Sequence, residues 1–586
     1  MDFRNAGRSR GKYPEYPSDP ISDIREMFVR STRNFSGKAA LQYKKSGKWI
    51  PISYGELRMQ VEHAACGLAA LGLEPVNGKL AIVGDNRPEW AVSYLAAACT
   101  GIVCVPIDKD LKESEVYNIL VLSGAQAAIC DDKHIPMILE LRKGLPELAL
   151  VLSMDETQHV EKVIGFSELM SMGADRAASG KNDFSERTVS GDHLLSILFT
   201  SGTMGNPKGV MLTHANIASN LVDAQKWVNL GTEDRFLSVL PIHHSYECTD
   251  GFLLPLFLGA TISYAENLRR IPENLSETRS TAMLGVPLLW HAIYKKIEEA
   301  MAEKGMWKVN AAKKLAALSE KTMGLNIRPL LFSKVHQKFG GHLRILISGG
   351  AAIDPLVAKG FRELGIEFLQ GYGLTESAPI IAVNRNAAFK DDSAGLPLPS
   401  VEVRIAEDGE ILARGPNIMT GYYDNRRATQ EALEEGWLHT GDLGFIDADG
   451  FLYIQGRKKS VIVTPAGKKI YPEEVESEIL KSPYVSECLV CGRETNEPGQ
   501  EITIEAIVVP NADYCIAQGL GDESRVESFL RKEVKERCQR LAIYKRATKI
   551  TVQHHELEKT TTKKVKRYLY TGKAPASVQT NPEGAR

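Results

Sequence analysis

Short apolar runs that alternate with helix-period segments restrict this chain to a narrow set of architectures. Residues 54–71 carry apolar side chains at helical spacing and are followed by a strand-like run at 80–83. A helix after NRPEW, at 90–100, then leads into a second apolar run at 103–106. Strands that alternate with helices predict a parallel sheet with covering helices. A second round of the pattern runs from 192 to about 385 and includes apolar runs at 282–285, 343–348 and 367–371. At 586 residues the chain is too long for one ordinary core; ~150 residues per domain suggests about four folding units.

Beyond 395 the pattern changes. Residues 402–406, 409–414 and 450–454 read as short strands separated by Asp-Gly turn signals, which predicts a smaller β-rich subdomain. After Arg457 the chain restarts with a strand at 460–463 and a helix at 472–481. Strands at 485–490 and 501–509 follow, then a long charged helix at 524–536. The last residues, 571–586, are rich in Pro, Gly and polar side chains and are expected to be disordered.

The apolar run at 194–199 leads straight into TSGTMGNPKG, residues 200–209. Thr200, Ser201 and Thr203 offer hydroxyls, and Gly202, Gly205 and Gly209 let backbone N–H groups approach phosphate oxygens closely. Lys208 supplies a cation beside the stiff Pro207. This is not a Walker A loop, because glycine rather than Ser or Thr follows the lysine and the glycine spacing differs. The composition suits gripping a polyphosphate.

A formal net charge of −2 gives no reason to expect a strongly basic nucleic-acid surface or an acidic solvating tail. Nine cysteines are scattered singly apart from Cys488 and Cys491, which suits a reducing, cytoplasmic setting rather than a disulfide framework. That CxxC lies in a strand-like segment, where residues three apart face opposite ways, and no second pair nearby completes a zinc site. The first 20 residues lack the apolar stretch of a secretory signal. The longest apolar run, about 251–265, is shorter than the ~20 residues a spanning helix needs and contains Pro255 and Gly259. A soluble protein is expected, or one that at most touches a membrane surface.

Four further segments join the loop: GYGLTE at 371–376, GWLHTGDLG at 436–444, GRKKSVIV at 456–463 and KTTTKKVKR at 559–567. With TSGTMGNPKG they resemble, in order and over nearly the whole chain, the adenylate-forming superfamily of acyl-CoA synthetases, peptide-synthetase adenylation domains and luciferases. NRPEW and a lysine-rich, largely helical insertion at 302–341 are similar to the long-chain fatty acyl-CoA synthetases. The resemblance implies a large N-terminal α/β domain at 1–456, built from two parallel-sheet subdomains and a β-rich one. A hinge follows at 457–459, and then a small mobile α+β domain at 460–570, ahead of the tail.

It also implies roles. Glu376 and the Thr200 hydroxyl would hold Mg²⁺, which favours hard oxygen ligands and keeps several waters. Tyr372, between Gly371 and Gly373, would lie against adenine, and Thr375 would reach the α-phosphate. Gly349, Gly350 and Ala351, at the end of LISGGAAI, would line the adenine and the mouth of the acyl tunnel. Asp442 would accept hydrogen bonds from both ribose hydroxyls, as carboxylates do in dinucleotide sites, with Arg457 beside it. His244 of LPIHHSYE, with Val286 and Pro287 of LGVPLLW, would wall the acyl pocket. Lys459 is the implied pivot, and the Gly467 loop would serve thioester formation.

Lys564 takes the position of the catalytic lysine. A cationic side chain there can hold carboxylate and α-phosphate in line and offset charge in the transition state. Glu558 replaces the family's proline and Lys563 its glycine, so which of the two ammonium groups reaches the site stays open by one residue. The implied activity is AMP-forming ligation of a medium- or long-chain fatty acid to CoA, with ATP as co-substrate and no nucleic-acid partner. An aryl or alicyclic acid, a stand-alone acyl-AMP ligase and a non-catalytic nucleotide-binding regulator are the rivals.

Overall fold

The computed structural model describes residue 13 and residues 15–155, 163–200, 207–303, 305–464, 467–497, 500–559 and 565–571. The expected disordered tail therefore lies outside the described residues, save for its first position.

Two large sheets dominate. In one of eight strands, Lys79–Val83 is flanked by Val103–Ile107 and Ala127–Cys130, all parallel. The edge beyond Val103–Ile107 is built by Leu194–Thr200, Lys208–Thr213 and Gly421–Tyr422, of which the last two run antiparallel. A nine-stranded sheet has a parallel centre of Arg235–Ser238, Ala282–Gly285, Ile345–Ser348 and Glu367–Gly373, with antiparallel strands at both edges. Central strands such as Lys79–Val83, Ala127–Cys130 and Ala282–Gly285 are buried over nearly their whole length, as parallel strands covered on both faces are.

Local sequence explains the covering helices. Ser53 caps Tyr54–Ala70 in a reciprocal capping box with Glu56, which satisfies donors that the first turn cannot. Pro88 opens Pro88–Thr100, where the missing N–H costs nothing, and Gly101 closes it at φ 75°. That helix is buried all round. Trp90 stacks on Tyr94 with centroids 5.3 Å apart, and both rings meet Phe252 edge-on. The aromatic trio joins the two sheets into one core.

Glu402–Ile405, Glu410–Arg414, Trp437–Ile446 and Leu452–Arg457 form the expected smaller antiparallel sheet, with Leu433–Glu434 at its edge. After Arg457 a short 3₁₀ turn, Lys458–Ser460, leads to a separate unit. There Val485–Glu497, Gln500–Pro510 and Lys549–Val552 pack on the helices Pro472–Leu480 and Glu523–Cys538 around Val475, Ile479, Leu530 and Val534. The fold is thus mixed α/β with parallel sheets, a large N-terminal domain and a smaller C-terminal one. Strand Val485–Glu497 runs well past the expected 485–490, because its partner Gln500–Pro510 continues the ladder into polar sequence that has no apolar alternation to read. Cys488 and Cys491 are buried free thiols in this strand, each pushed up by burial. The insertion is helical as expected, at Met306–Met323, Arg328–Leu331 and Ser333–Lys338.

Candidate active site

The carboxyl ends of the parallel strands open onto one cleft of about 3480 Å³, where open α/β sheets characteristically bind ligands. Thr200 ends one strand and Lys208 begins the next, and the two sit opposite each other in register. Ser201, Gly202 and Thr203 between them lie outside the described residues. Lys208 sets its ammonium 4.8 Å from the centre of the Tyr422 ring. Tyr422 in turn donates its hydroxyl to Glu376 Oε1 at 2.8 Å. Glu376 sits in the 3₁₀ turn Thr375–Ser377 that follows Gly371–Tyr372–Gly373, so one short stretch delivers the ring, the Thr375 hydroxyl and the carboxylate. Thr375 Oγ1 lies 3.2 Å from Ser245 Oγ, which ties this turn to the HHSYE segment.

Around Asp442, Tyr372 donates its hydroxyl to Oδ2 at 2.6 Å, and Arg457 Nε meets Oδ1 at 2.9 Å. Asp442 and Arg457 face each other across the antiparallel pair Trp437–Ile446 and Leu452–Arg457, so the sheet register itself creates the ion pair. Burial, reinforced by the Asp442 carboxylate, keeps the Tyr372 phenol protonated far above its ordinary range. Below them Glu410 accepts from the Gly441 N–H at 2.9 Å and pairs with His439 and with Lys458 at 2.8 Å. Burial opposes its charge, yet these partners hold its carboxyl below the usual range. Lys458 also reaches Asp408 at 2.6 Å, which fastens the start of the interdomain turn, while Lys459 beside it is exposed on the cleft.

The wall around His244 is built differently. The backbone N–H of Tyr246 donates to His244 Nδ1 at 3.3 Å, which leaves the ring's Nε2 to carry the proton of the neutral form. His243 instead pairs with Asp108 at 3.4 Å. The Tyr246 ring lies against Gly349, where a Cβ would come within 2.9 Å of it, and its hydroxyl donates to the Ile347 carbonyl at 3.2 Å. Gly350 follows at φ +84°, a conformation that side chains other than glycine's rarely adopt. Ala351 and Pro287 line the cleft, and Val286 Cγ1 stands 3.7 Å from where a Gly350 Cβ would project.

Lys564 lies outside the described residues. Its flanks are fixed: Lys559 and Val565 form an isolated antiparallel bridge, and both line the cleft. Arg567 anchors this end through Glu476 at 2.5 Å and Glu473 at 3.7 Å. Gly467 forms the tip of the hairpin Ile462–Val463 and Lys469–Ile470 at φ +73°, with open space where a side chain would go.

Two supporting residues escaped the sequence reading. Tyr422 left only a Gly-Tyr-Tyr signal, too common to interpret. Asn86 of NRPEW binds Ser238 Oγ and the Leu240 carbonyl through its amide N, at 2.9 and 2.7 Å, and accepts from the Ile242 N–H at 3.0 Å. It pins the strand end that launches the HHSYE segment.

A large cleft that holds an aromatic ring, a buried carboxylate met by an arginine, and a lysine linked through Tyr422 to a second carboxylate suits a nucleotide-dependent enzyme on a two-domain α/β frame. Residues 28–423 match the AMP-binding enzyme family and residues 474–564 match the AMP-binding enzyme C-terminal domain, so the chain belongs to the AMP-binding enzymes. It is 30% identical over 480 residues to the long-chain-fatty-acid–CoA ligase FadD15 of Mycobacterium bovis, covering 78% of each chain. It is 29% identical over 473 residues to feruloyl-CoA synthase of an Amycolatopsis species, covering 78% of this chain and 84% of that one. Its fold is that of the anthranilate CoA ligase AuaEII in complex with anthranoyl-AMP: the TM-score is 0.74 at 20% identity, over 96% of this chain and 98% of the other.

Proposed function

We propose that this protein is an AMP-forming carboxylate–CoA ligase that activates a medium- or long-chain fatty acid. The carrying observation is the convergence of Thr200, Glu376, Tyr372, Asp442 and Arg457 on one cleft of an AMP-binding enzyme whose relatives include a long-chain-fatty-acid–CoA ligase. A carboxylate oxygen of the acid attacks the α-phosphorus of ATP, forming acyl-AMP and releasing pyrophosphate. Tyr372 packs against adenine, Asp442 accepts from the ribose hydroxyls, and Thr375 contacts the α-phosphate. Lys208 and the hydroxyls of Thr200, Ser201 and Thr203 grip the leaving pyrophosphate. Lys564 bridges carboxylate and α-phosphate, which aligns them and offsets charge that grows in the transition state.

Thr200 and Glu376 are hard oxygen donors on the same cleft wall, and this set fits Mg²⁺, which takes few protein ligands alongside phosphate and water. When bound, the ion neutralises phosphate charge. His244 and the Tyr246–Gly349 contact bound the carboxylate end of the acyl pocket. The C-terminal domain then turns about Lys459, withdraws Lys564 and presents the Gly467 loop, and the CoA thiol displaces AMP. Such closure uses few residues and separates half-reactions that need different surfaces.

An aryl acid is the second reading, favoured by the likeness to feruloyl-CoA synthase and to the anthranilate ligase's fold. Purified protein given ATP, magnesium and a panel of fatty and aryl acids, assayed for AMP and pyrophosphate with and without CoA, tests both. Fatty acids should give CoA-dependent AMP release. An acyl-AMP ligase would stop at the adenylate, and a regulator would turn over nothing.

Peripheral membrane contact belongs to the same proposal. Among the described residues no helix is long and apolar enough to cross a membrane. The insertion nevertheless exposes Trp307, Met323 and Leu330 by 71–76%, next to exposed Lys308, Lys314 and Lys321. Apolar and aromatic side chains with lysines suit an anionic lipid surface. Co-sedimentation with anionic vesicles, lost in Trp307→Ala/Leu330→Ala, is the expected result.

A further inference from the structure

The helix that walls the acyl end is a π-helix, Glu247–Leu253, a rare form often found at functional sites. Tyr246, Asp250 and Leu254, four residues apart, all line the cleft, so one stripe of this wall carries a carboxyl between two apolar bodies. Apolar Val228, Leu284, Ile380 and Val383 line the same cleft. Asp250 is only 4% exposed, and neither of its carboxyl oxygens has a hydrogen-bond partner. Its titratable neighbour is another acid, Glu247, which is engaged by Ser238 Oγ at 2.5 Å, the same serine that Asn86 holds.

A buried polar group without a partner is costly, and native structures satisfy almost all of them. Glu247 has a structural use in the Asn86–Ser238 network. Asp250 has none, and it sits on the ligand-facing stripe. Burial, and then the Glu247 carboxyl beside it, push the Asp250 carboxyl far above its ordinary range. It therefore remains a neutral carboxylic acid, with one O–H to donate and a carbonyl oxygen to accept. A hydroxyl complements both at once; an alkyl chain leaves both unmet.

On the reading of the protein as a carboxylate–CoA ligase, we propose that Asp250 is a specificity-determining residue and that the preferred acid carries a hydroxyl on its chain. The hydroxyl would lie about one helical turn, ~5 Å, deeper in the pocket than the Tyr246 ring.

The test compares carboxylic acids of equal length that are unsubstituted, hydroxylated at successive carbons, or aminated. Each is assayed by pyrophosphate release and acyl-CoA formation with the full-length wild type, Asp250→Leu and Asp250→Asn. The expected result is that one hydroxylated isomer exceeds its plain counterpart at least ~10-fold in kcat/KM, as a site built around a hydrogen bond discriminates. That ratio should collapse in Asp250→Leu and be partly kept in Asp250→Asn. If Asp250→Leu does not fold, the Asn variant and the wild-type panel carry the test. Equal rates for plain and hydroxylated acids, a preference for the amino acid derivative, or a ratio unmoved by either variant would overturn the inference. Failure of every acid to yield AMP would instead overturn the ligase reading on which it rests.

Discussion

At the end of the cleft proposed to take the nucleotide, Asp442 is gripped by Tyr372 and Arg457, and Glu410 by Lys458, His439 and the Gly441 N–H. At the end proposed to take the acyl chain, Glu247 and Asp250 share one helical turn, and no cation among the described residues acts on either. On the proposed function, the difference follows from what each end would recognise. A nucleotide always presents the same charges, and its proposed partners are placed by strand register and by turns at strand ends. An acyl chain presents mostly apolar surface, so its wall is a helix whose few polar groups can be tuned without disturbing the nucleotide.

The largest expected effect comes from the group proposed to span both ends. Lys564→Ala should lower adenylate formation by about 10²–10³, the usual cost of removing one transition-state donor, and largely spare thioester formation from supplied acyl-AMP. Equal loss in both half-reactions, or a larger effect of Lys563→Ala, would move the role elsewhere. Lys459→Pro fixes φ near −65° at the proposed pivot. Acyl-AMP should then accumulate with little acyl-CoA formed, and a normal rate of acyl-CoA production would place the pivot at another residue.

Asp442→Asn keeps the shape but removes the charge that pairs with Arg457. Hydrogen bonds to charged groups are worth ~1.5–3 kcal/mol, so kcat/KM for ATP should fall about 10–100-fold with the acid's apparent affinity little changed. A comparable loss toward the acid would blur the division between the two ends.

The smallest effect is on stability. Burial pushes the Glu247 carboxyl up to about 8 from an ordinary 4.5. Between those values the folded protein keeps a proton that the unfolded chain has released, so stability is full below ~4.5 and declines as pH rises toward 8. Glu247→Gln removes this penalty and can still accept from Ser238. Its melting temperature relative to wild type should rise with pH across that window, by an amount on the order of a few degrees. Parallel pH profiles for the two proteins would contradict the buried, neutral state.

The sequence made the nucleotide end legible and left the acyl end obscure, for reasons visible in single residues. Gly371–Glu376, Thr200 and Lys208 lie at strand ends, where glycines and hydroxyls stand out against apolar runs. Asp442 and Arg457 looked unrelated until the sheet register put them opposite each other. The strand run at 282–285 coincided with Ala282–Gly285, and the helix expected at 54–71 is Tyr54–Ala70, because their apolar periods are set by burial. Asp250 gave no signal, since a lone acid in an apolar stretch reads as a turn or a surface position. Asn86 acts across 152 residues of chain, a separation that no local pattern encodes.

Acid-dependent exchange of labelled pyrophosphate into ATP, measured without CoA, tests the central claim most directly. A two-step ligase should catalyse the exchange once a suitable carboxylic acid is present, and adding CoA should divert the adenylate into AMP and acyl-CoA. Exchange that needs CoA, or ATP turnover to ADP and phosphate, would contradict an acyl-adenylate formed in this cleft.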